Sequence, residues 1–137
     1  MPKPFLNNDM IVIRILAVAI WIQFAVWTMK LPRILDKIES KPRHMHSKEA
    51  DIHNMLRYIE WISSFKLFVI RKNCLKKNLL YYYFLVTSGI TGLDLHIGVR
   101  KPGQDLDGHC WLTRDGEVYL DTERKISQYK IIYTRGV

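Results

Sequence analysis

The sequence predicts an α+β fold in which helices come first and a small antiparallel sheet follows, and three observations carry that prediction. Residues 10–29, MIVIRILAVAIWIQFAVWTM, form a long apolar run, and residues 51–70 show helical periodicity. CLKKNLLYYYFLVTS, 74–88, reads as a further helix closed by Gly89. Beyond it the pattern changes to alternation in LDLHIGVR, 93–100, and to a fold-back on Asp-Gly in GHCWLTRDGEVYLD, 108–121. Helices and strands that are segregated along the chain, rather than interleaved, mark the α+β class.

Each element has its own reason. The run 10–29 is near the roughly 20 residues that cross a bilayer, but Arg14 and Gln23 interrupt it, and charge at the centre of a bilayer is costly. Only Lys3 precedes it and no small-x-small site follows, so a signal peptide is not expected. Three readings stay open: a helix packed on the domain or a partner, a helix lying on a membrane surface, and a true span. Pro32 then opens LPRILDKIE, a short amphipathic helix. SKPRHMHSKEA, 40–50, is polar and reads as an exposed linker. In the next helix Ile52, Met55, Leu56, Ile59 and Ile62 mark one face. The helix at 74–88 should start near Asn73, an acceptable N-cap, and Gly89 stands where a C-cap glycine belongs. In 93–100, Leu93, Leu95, Ile97 and Val99 face one way, with Asp94, His96 and Arg100 facing the other, as in a half-buried strand. The expected organisation is a hydrophobic helical segment with linker over 1–50 and a core over 51–137.

Composition narrows the function. Two cysteines at unrelated positions make neither a disulfide framework nor a zinc pattern, and a reducing, cytoplasmic setting is the simpler reading. A net charge of +8 favours an anionic partner. The basic residues are spread along the chain, however, with no Gly-rich phosphate loop or RNA-binding aromatic signature, so nucleic acid is not expected. His44, His46 and His53 lack a Cys or carboxylate that would complete a metal-ligand spacing and read as solvated. No metal site is expected.

The chemistry-bearing residues are Cys74, Cys110, His109 and Asp121. Cys74 heads its helix, where backbone N–H groups and the helix dipole favour an anion, with Arg71, Lys72, Lys76 and Lys77 adding positive charge nearby. A first-turn amide there could also face a developing oxyanion. An inert cysteine packed under the helix is the alternative. Cys110 follows His109 directly in a strand, so the two side chains point to opposite faces, and Cys110 reads as a small core residue. Of the two cysteines, Cys74 is the one that His109 could serve. In the hairpin, hydrophobic sorting favours a three-residue loop, Arg114-Asp115-Gly116, with Gly116 left-handed. His109 then opposes Asp121, Trp111 opposes Tyr119 and Thr113 opposes Glu117, leaving Cys110, Leu112, Val118 and Leu120 as an apolar face. Opposed side chains lie about 5 Å apart at the β-carbon, close enough for a carboxylate to hold an imidazole.

A Cys heading a helix, then H-x-W on one strand and an Asp on the next, resembles the transglutaminase-like, papain-related cysteine enzymes. CLKKNLLYYYFLVTSGI, the strand ending IGVRK, HCWLTRDGEVYLD and the hydrophobic start IRILAVAIWIQFAVWTMKLPRIL are similar to the leader peptidases of lasso-peptide biosynthesis. The resemblance spans nearly the whole chain and is strongest over 73–121. It implies a Cys-headed helix packed on a small antiparallel sheet, with Cys74 as nucleophile, His109 as general base and acid, and Asp121 orienting the imidazole. It implies no cofactor. It also implies a precursor peptide as substrate, a separate leader-binding recognition protein, and an ATP-using, asparagine-synthetase-like macrolactam synthetase as partners. Peripheral membrane contact through the apolar N-terminal helix is a further expectation. Lys76 and Asn78 depart from the proline or small residues usual in the family's helix, and Cys110 replaces a small residue. Two other functions use the same features: a transglutaminase-like acyl transferase or deamidase, and a non-catalytic membrane-associated binding protein.

Overall fold

A computed structural model describes residues 4–43, 49–64 and 74–136. Four helices lead: α1 (Pro4–Thr28), α2 (Leu31–Glu39), α3 (Glu49–Ser64) and α4 (Cys74–Thr87). The strands β1 (Leu93–Arg100), β2 (Asp107–Arg114) and β3 (Glu117–Tyr119) follow, then a one-turn helix α5 (Glu123–Ile126) and β4 (Lys130–Gly136). The sheet is antiparallel with order β3-β2-β1-β4, so the α+β class holds. Sequence reading did not single out α5 or β4.

The helix α4 is the centre of the molecule. Leu79, Leu80, Tyr82 and Leu85 have no exposed surface, because α1, α2 and α3 cover one side and β1 and β2 the other. A fully buried leucine is worth roughly 2 kcal/mol relative to an exposed one, so this one helix anchors both layers. Its end is fixed as the sequence predicts: Gly89 N–H donates to Val86 O and Ile90 N–H to Leu85 O, the paired bonds of a Schellman stop. The expected cap Asn73 lies outside the described residues, as do Arg71, Lys72, His44 and His46. His53 is exposed on α3.

The two polar interruptions of the apolar run both meet α4. The Arg14 guanidinium lies over the Phe84 ring at 5.7 Å, and Gln23 Oε1 accepts a hydrogen bond from Lys76 Nζ. One face of α1, including Ile15 and Ile22, is buried against the core. At the other end of the sheet, Arg135 of β4 binds Asp36 and Glu39 of α2. Glu39 also accepts from the Tyr82 hydroxyl at 2.8 Å, which ties β4, α2 and α4 together.

The hairpin corrects an expectation. β2 and β3 pair Leu112 with Tyr119, Thr113 with Val118 and Arg114 with Glu117. The loop is therefore the two-residue Asp115-Gly116 turn, with φ of 55° and 85°, and not the three-residue loop that apolar sorting favours. Positive φ at both positions is what a type I′ turn requires, and Asp-Gly meets it well. Sorting misjudged Tyr119, which packs against the core with its face under the Arg114 guanidinium at 5.7 Å. An amphipathic tyrosine on a three-residue strand is no obstacle to the register that the turn prefers.

Candidate active site

The observed register, continued, would set Thr122 opposite His109 and turn Asp121 to the other face. It does not continue. The ladder stops at Tyr119, and Leu120 takes φ +65°, a left-handed conformation that costs an L-residue roughly 1–2 kcal/mol. That kink brings Asp121 back to the imidazole: Asp121 Oδ2 lies 2.7 Å from His109 Nε2. The other carboxylate oxygen, Oδ1, accepts from the Thr122 backbone N–H at 2.8 Å. The two side chains are only 10% and 16% exposed, so the contact is sheltered from water. His109 and Asp121 are thus brought together by a route different from the one the sequence implies. With Nε2 committed to Asp121, Nδ1 is the ring nitrogen left for proton exchange.

The helix α4 packs against β2. Asn78 Nδ2 donates to the carbonyls of Cys74 at 2.8 Å and of Cys110 at 3.0 Å. Both acceptors are carbonyls, which fixes the amide orientation chemically: the nitrogen must face them. Two residues beyond the last β2–β3 pair, the Cys110 carbonyl thus finds a side-chain donor on α4. This bridge pins the first turn of the Cys74 helix against β2 beside His109. Sequence reading noticed Asn78 only as a departure from the usual helix.

The two cysteines occupy different worlds. Cys74 is part-exposed at the helix start, and Cys110 is buried. Burial first, then the proximity of Cys74, pushes the Cys110 thiol far above its ordinary range, which keeps it protonated and poorly nucleophilic. The expectation of Cys110 as a small core residue matches its place under α4 at 2% exposure.

Two aromatic rings, themselves 6.3 Å apart, form a cluster with the imidazole. His109 stacks on Trp111 at 5.7 Å and on Tyr129 at 5.2 Å between centroids. Tyr129 arrives from the segment after α5 and donates its hydroxyl to Asp107 Oδ2 at 2.9 Å. Arg100 closes that corner, with Nε 2.8 Å from the same carboxylate oxygen and its guanidinium over the Tyr129 ring at 5.0 Å. The bonds from Arg100 and Tyr129 hold the Asp107 carboxyl below its usual range. Burial and the bond to Asp107 raise the pH at which the Tyr129 hydroxyl ionises. Neither Tyr129 nor Asp107 carries a local sequence signal, since their roles depend on how α5 turns the chain.

Farther along the same sheet face, Trp111 stacks on His96 at 5.6 Å. His96 is bridged to Thr134 at 3.0 Å and Thr113 at 2.8 Å. A shallow cleft of about 530 Å³ runs past His96, Trp111 and Tyr129, with Val118, Ile126 and Ile131 as apolar walls. Trp111 and Tyr129 thus join this cleft to the His109–Asp121 pair. Among the described residues no cluster of His, Cys, Asp and Glu has the makings of a metal site.

No curated protein and no solved structure matches this chain. The family model of the transglutaminase-like superfamily does match it, over residues 18–134. That span takes in the C-terminal part of α1, the Cys74 helix, the His109 strand and Asp121, and the chain belongs to the transglutaminase-like superfamily.

Proposed function

We propose that this chain is a cysteine peptidase that removes the leader from a ribosomally made lasso-peptide precursor. Cys74 is the nucleophile, His109 the general base and acid, and Asp121 the residue that orients the imidazole. The observation that carries this reading is the 2.7 Å His109–Asp121 contact, sheltered beside the first turn of the helix that Cys74 begins. Two further points support it. Members of the superfamily are usually cysteine enzymes, and the motifs around Cys74, IGVRK and HCW resemble lasso leader peptidases.

The chemistry is acyl transfer. His109 Nδ1 takes the proton of Cys74 Sγ, and the sulfur attacks the carbonyl carbon at the leader–core junction. Amides of the first turn of α4 are the donors placed for the oxyanion. The C–N bond breaks as Nδ1 returns the proton to the departing amine of the core peptide, leaving the leader as a thioester on Cys74. Water, deprotonated by His109, then releases the leader carboxylate and restores the thiol. Every step is completed by these side chains and water, so no metal or redox cofactor enters. A separate leader-binding protein delivers the precursor, and an asparagine-synthetase-like macrolactam synthetase closes the ring on the freed N-terminus. A reducing cytoplasm keeps both thiols available in this form.

The test is cleavage of the precursor by the purified chain together with the leader-binding protein, followed by mass spectrometry. Cys74→Ala should abolish cleavage and Cys110→Ala should retain most of it, while Asp121→Asn should fold normally and turn over far more slowly. Cleavage by the Cys74 variant would remove the mechanism. Leader joined to an added amine, in place of a free leader carboxylate, would show a transferase instead.

A further inference from the structure

Apart from Arg14 and Gln23, the helix α1 is apolar from Met10 to Trp27, but only half of that surface is used. Its inner face is locked into the core, yet Met10, Ile13, Leu16, Ile20, Phe24 and Trp27 stand exposed on the outer face. Their spacing of three and four residues makes one continuous stripe along the helix. Phe24 is 57% and Trp27 80% exposed. A stripe of this length without a single charged side chain is uncommon on a soluble surface and marks a place where something docks.

We infer that this stripe docks α1 in the plane of an anionic phospholipid surface, as a peripheral contact. Charge complementarity selects the occupant. Directly after α1, Lys30, Arg33, Lys37, Lys41 and Arg43 are all exposed. The two acids of the same stretch, Asp36 and Glu39, are already bound to Arg135, so the stretch presents positive charge outward, in a chain of net charge +8. Basic residues beside an apolar helix face are the pattern that anionic lipid attracts. Trp27 at the end of the stripe, three residues from Lys30, suits the headgroup level, where an indole keeps its ring in the apolar layer and its N–H in water. A protein partner would ask for polar contacts, at about one hydrogen bond per 100–200 Å² of interface, and the stripe offers none from Ile13 to Phe24. The acyl boundary of a bilayer asks for none.

The same packing decides against a span, although Met10–Thr28 is long and apolar enough to cross a membrane. Ile15 and Ile22 are at most 1% exposed within the core, Arg14 sits over Phe84 and Gln23 is bound to Lys76. Crossing would strip α4 of its cover and bury Arg14 in lipid without its ring. Lying in the interface costs none of these contacts. This inference does not rest on the peptidase reading, since it uses neither Cys74 nor His109.

Flotation of the full chain with vesicles tests it. Vesicles of phosphatidylcholine alone should bind little, and an equal mixture of phosphatidylcholine and phosphatidylglycerol should bind well, with release by carbonate. Ile20→Glu combined with Phe24→Glu alters only exposed positions and should melt at the wild-type temperature while losing the vesicles. Lys30→Gln and Arg33→Gln should each weaken binding to the mixed vesicles about fivefold. Four outcomes overturn the inference. They are absence from the mixed vesicles, binding that the double variant leaves unchanged, resistance to carbonate, and a lipid-independent dimer that the double variant disperses, which would assign the stripe to a second copy of the chain.

Discussion

Removing the Asn78 amide tests whether the bridge between α4 and β2 positions the site. Asn78→Ala deletes two donated hydrogen bonds, to Cys74 O and Cys110 O. The Cys74 carbonyl also sits in the helix ladder, so it remains served. The Cys110 carbonyl loses a donor at a part-buried position. A net hydrogen bond is worth about 0.5–1.5 kcal/mol, and an acceptor stranded away from water costs about 1–3 kcal/mol. Taken together the expected loss is about 2 kcal/mol. For a domain of this size about 4 °C accompanies each kcal/mol, so the melting temperature should fall roughly 8 °C. Precursor cleavage should fall further than stability alone accounts for below the melting transition, because the Cys74 turn is no longer pinned beside His109. Asn78→Asp should be worse than Asn78→Ala, as it sets a carboxylate against two carbonyls. Thermal melting followed by circular dichroism, paired with cleavage well below the transition, provides both readouts. An alanine variant that melts within about 1 °C of wild type and cleaves normally would refute the bridge, given the expected size of the effect.

Three other perturbations probe neighbouring parts of the account. Leu120→Val puts a β-branched residue into left-handed backbone and should lower both stability and cleavage, whereas Leu120→Gly should preserve cleavage; equal activity in the two would deny the kink its role in presenting Asp121. Gly98→Ala should destabilise the domain, because a Cβ there would meet the Trp111 ring at 2.8 Å and Tyr129 Cβ at 2.9 Å; an unshifted melting curve would contradict that packing. Burial, partly opposed by Asp94, lowers the ionisation of His96 below its ordinary 6.5. The fold therefore favours the neutral ring, its contribution is complete above pH 6.5 and declines as pH falls through the lowered folded value. Denaturation midpoints of wild type and His96→Gln should converge as the pH is lowered, and a constant gap would exclude this linkage.

Much of the fold was legible because the signals were local. The apolar run of α1, the helical face from Ile52 to Ile62, the Gly89 stop and the alternation from Leu93 to Arg100 each depend on neighbours within a few residues. The candidate site was legible in its members and not in its geometry. Cys74, His109 and Asp121 stand out by type and order, but what joins the last two is a left-handed Leu120, and leucine announces no such conformation. Sorting the hairpin by hydrophobicity failed because β3 has only three residues, too few to outweigh the preference of Asp-Gly for a two-residue turn. Asn78 and Tyr129 were invisible for a different reason. Their partners, Cys110 and Asp107, lie 32 and 22 residues away, and no periodicity reports such contacts.

The central claim is that Cys74 alone carries the reactive sulfur. A leader-derived peptide chloromethyl ketone, which alkylates an activated thiol at the acyl position, tests it by intact-protein mass spectrometry and peptide mapping. The account predicts one adduct per chain, located on Cys74, absent in Cys74→Ala and formed more slowly in Asp121→Asn. An adduct on Cys110, or no adduct at a peptide concentration that saturates the leader-binding protein, would contradict it.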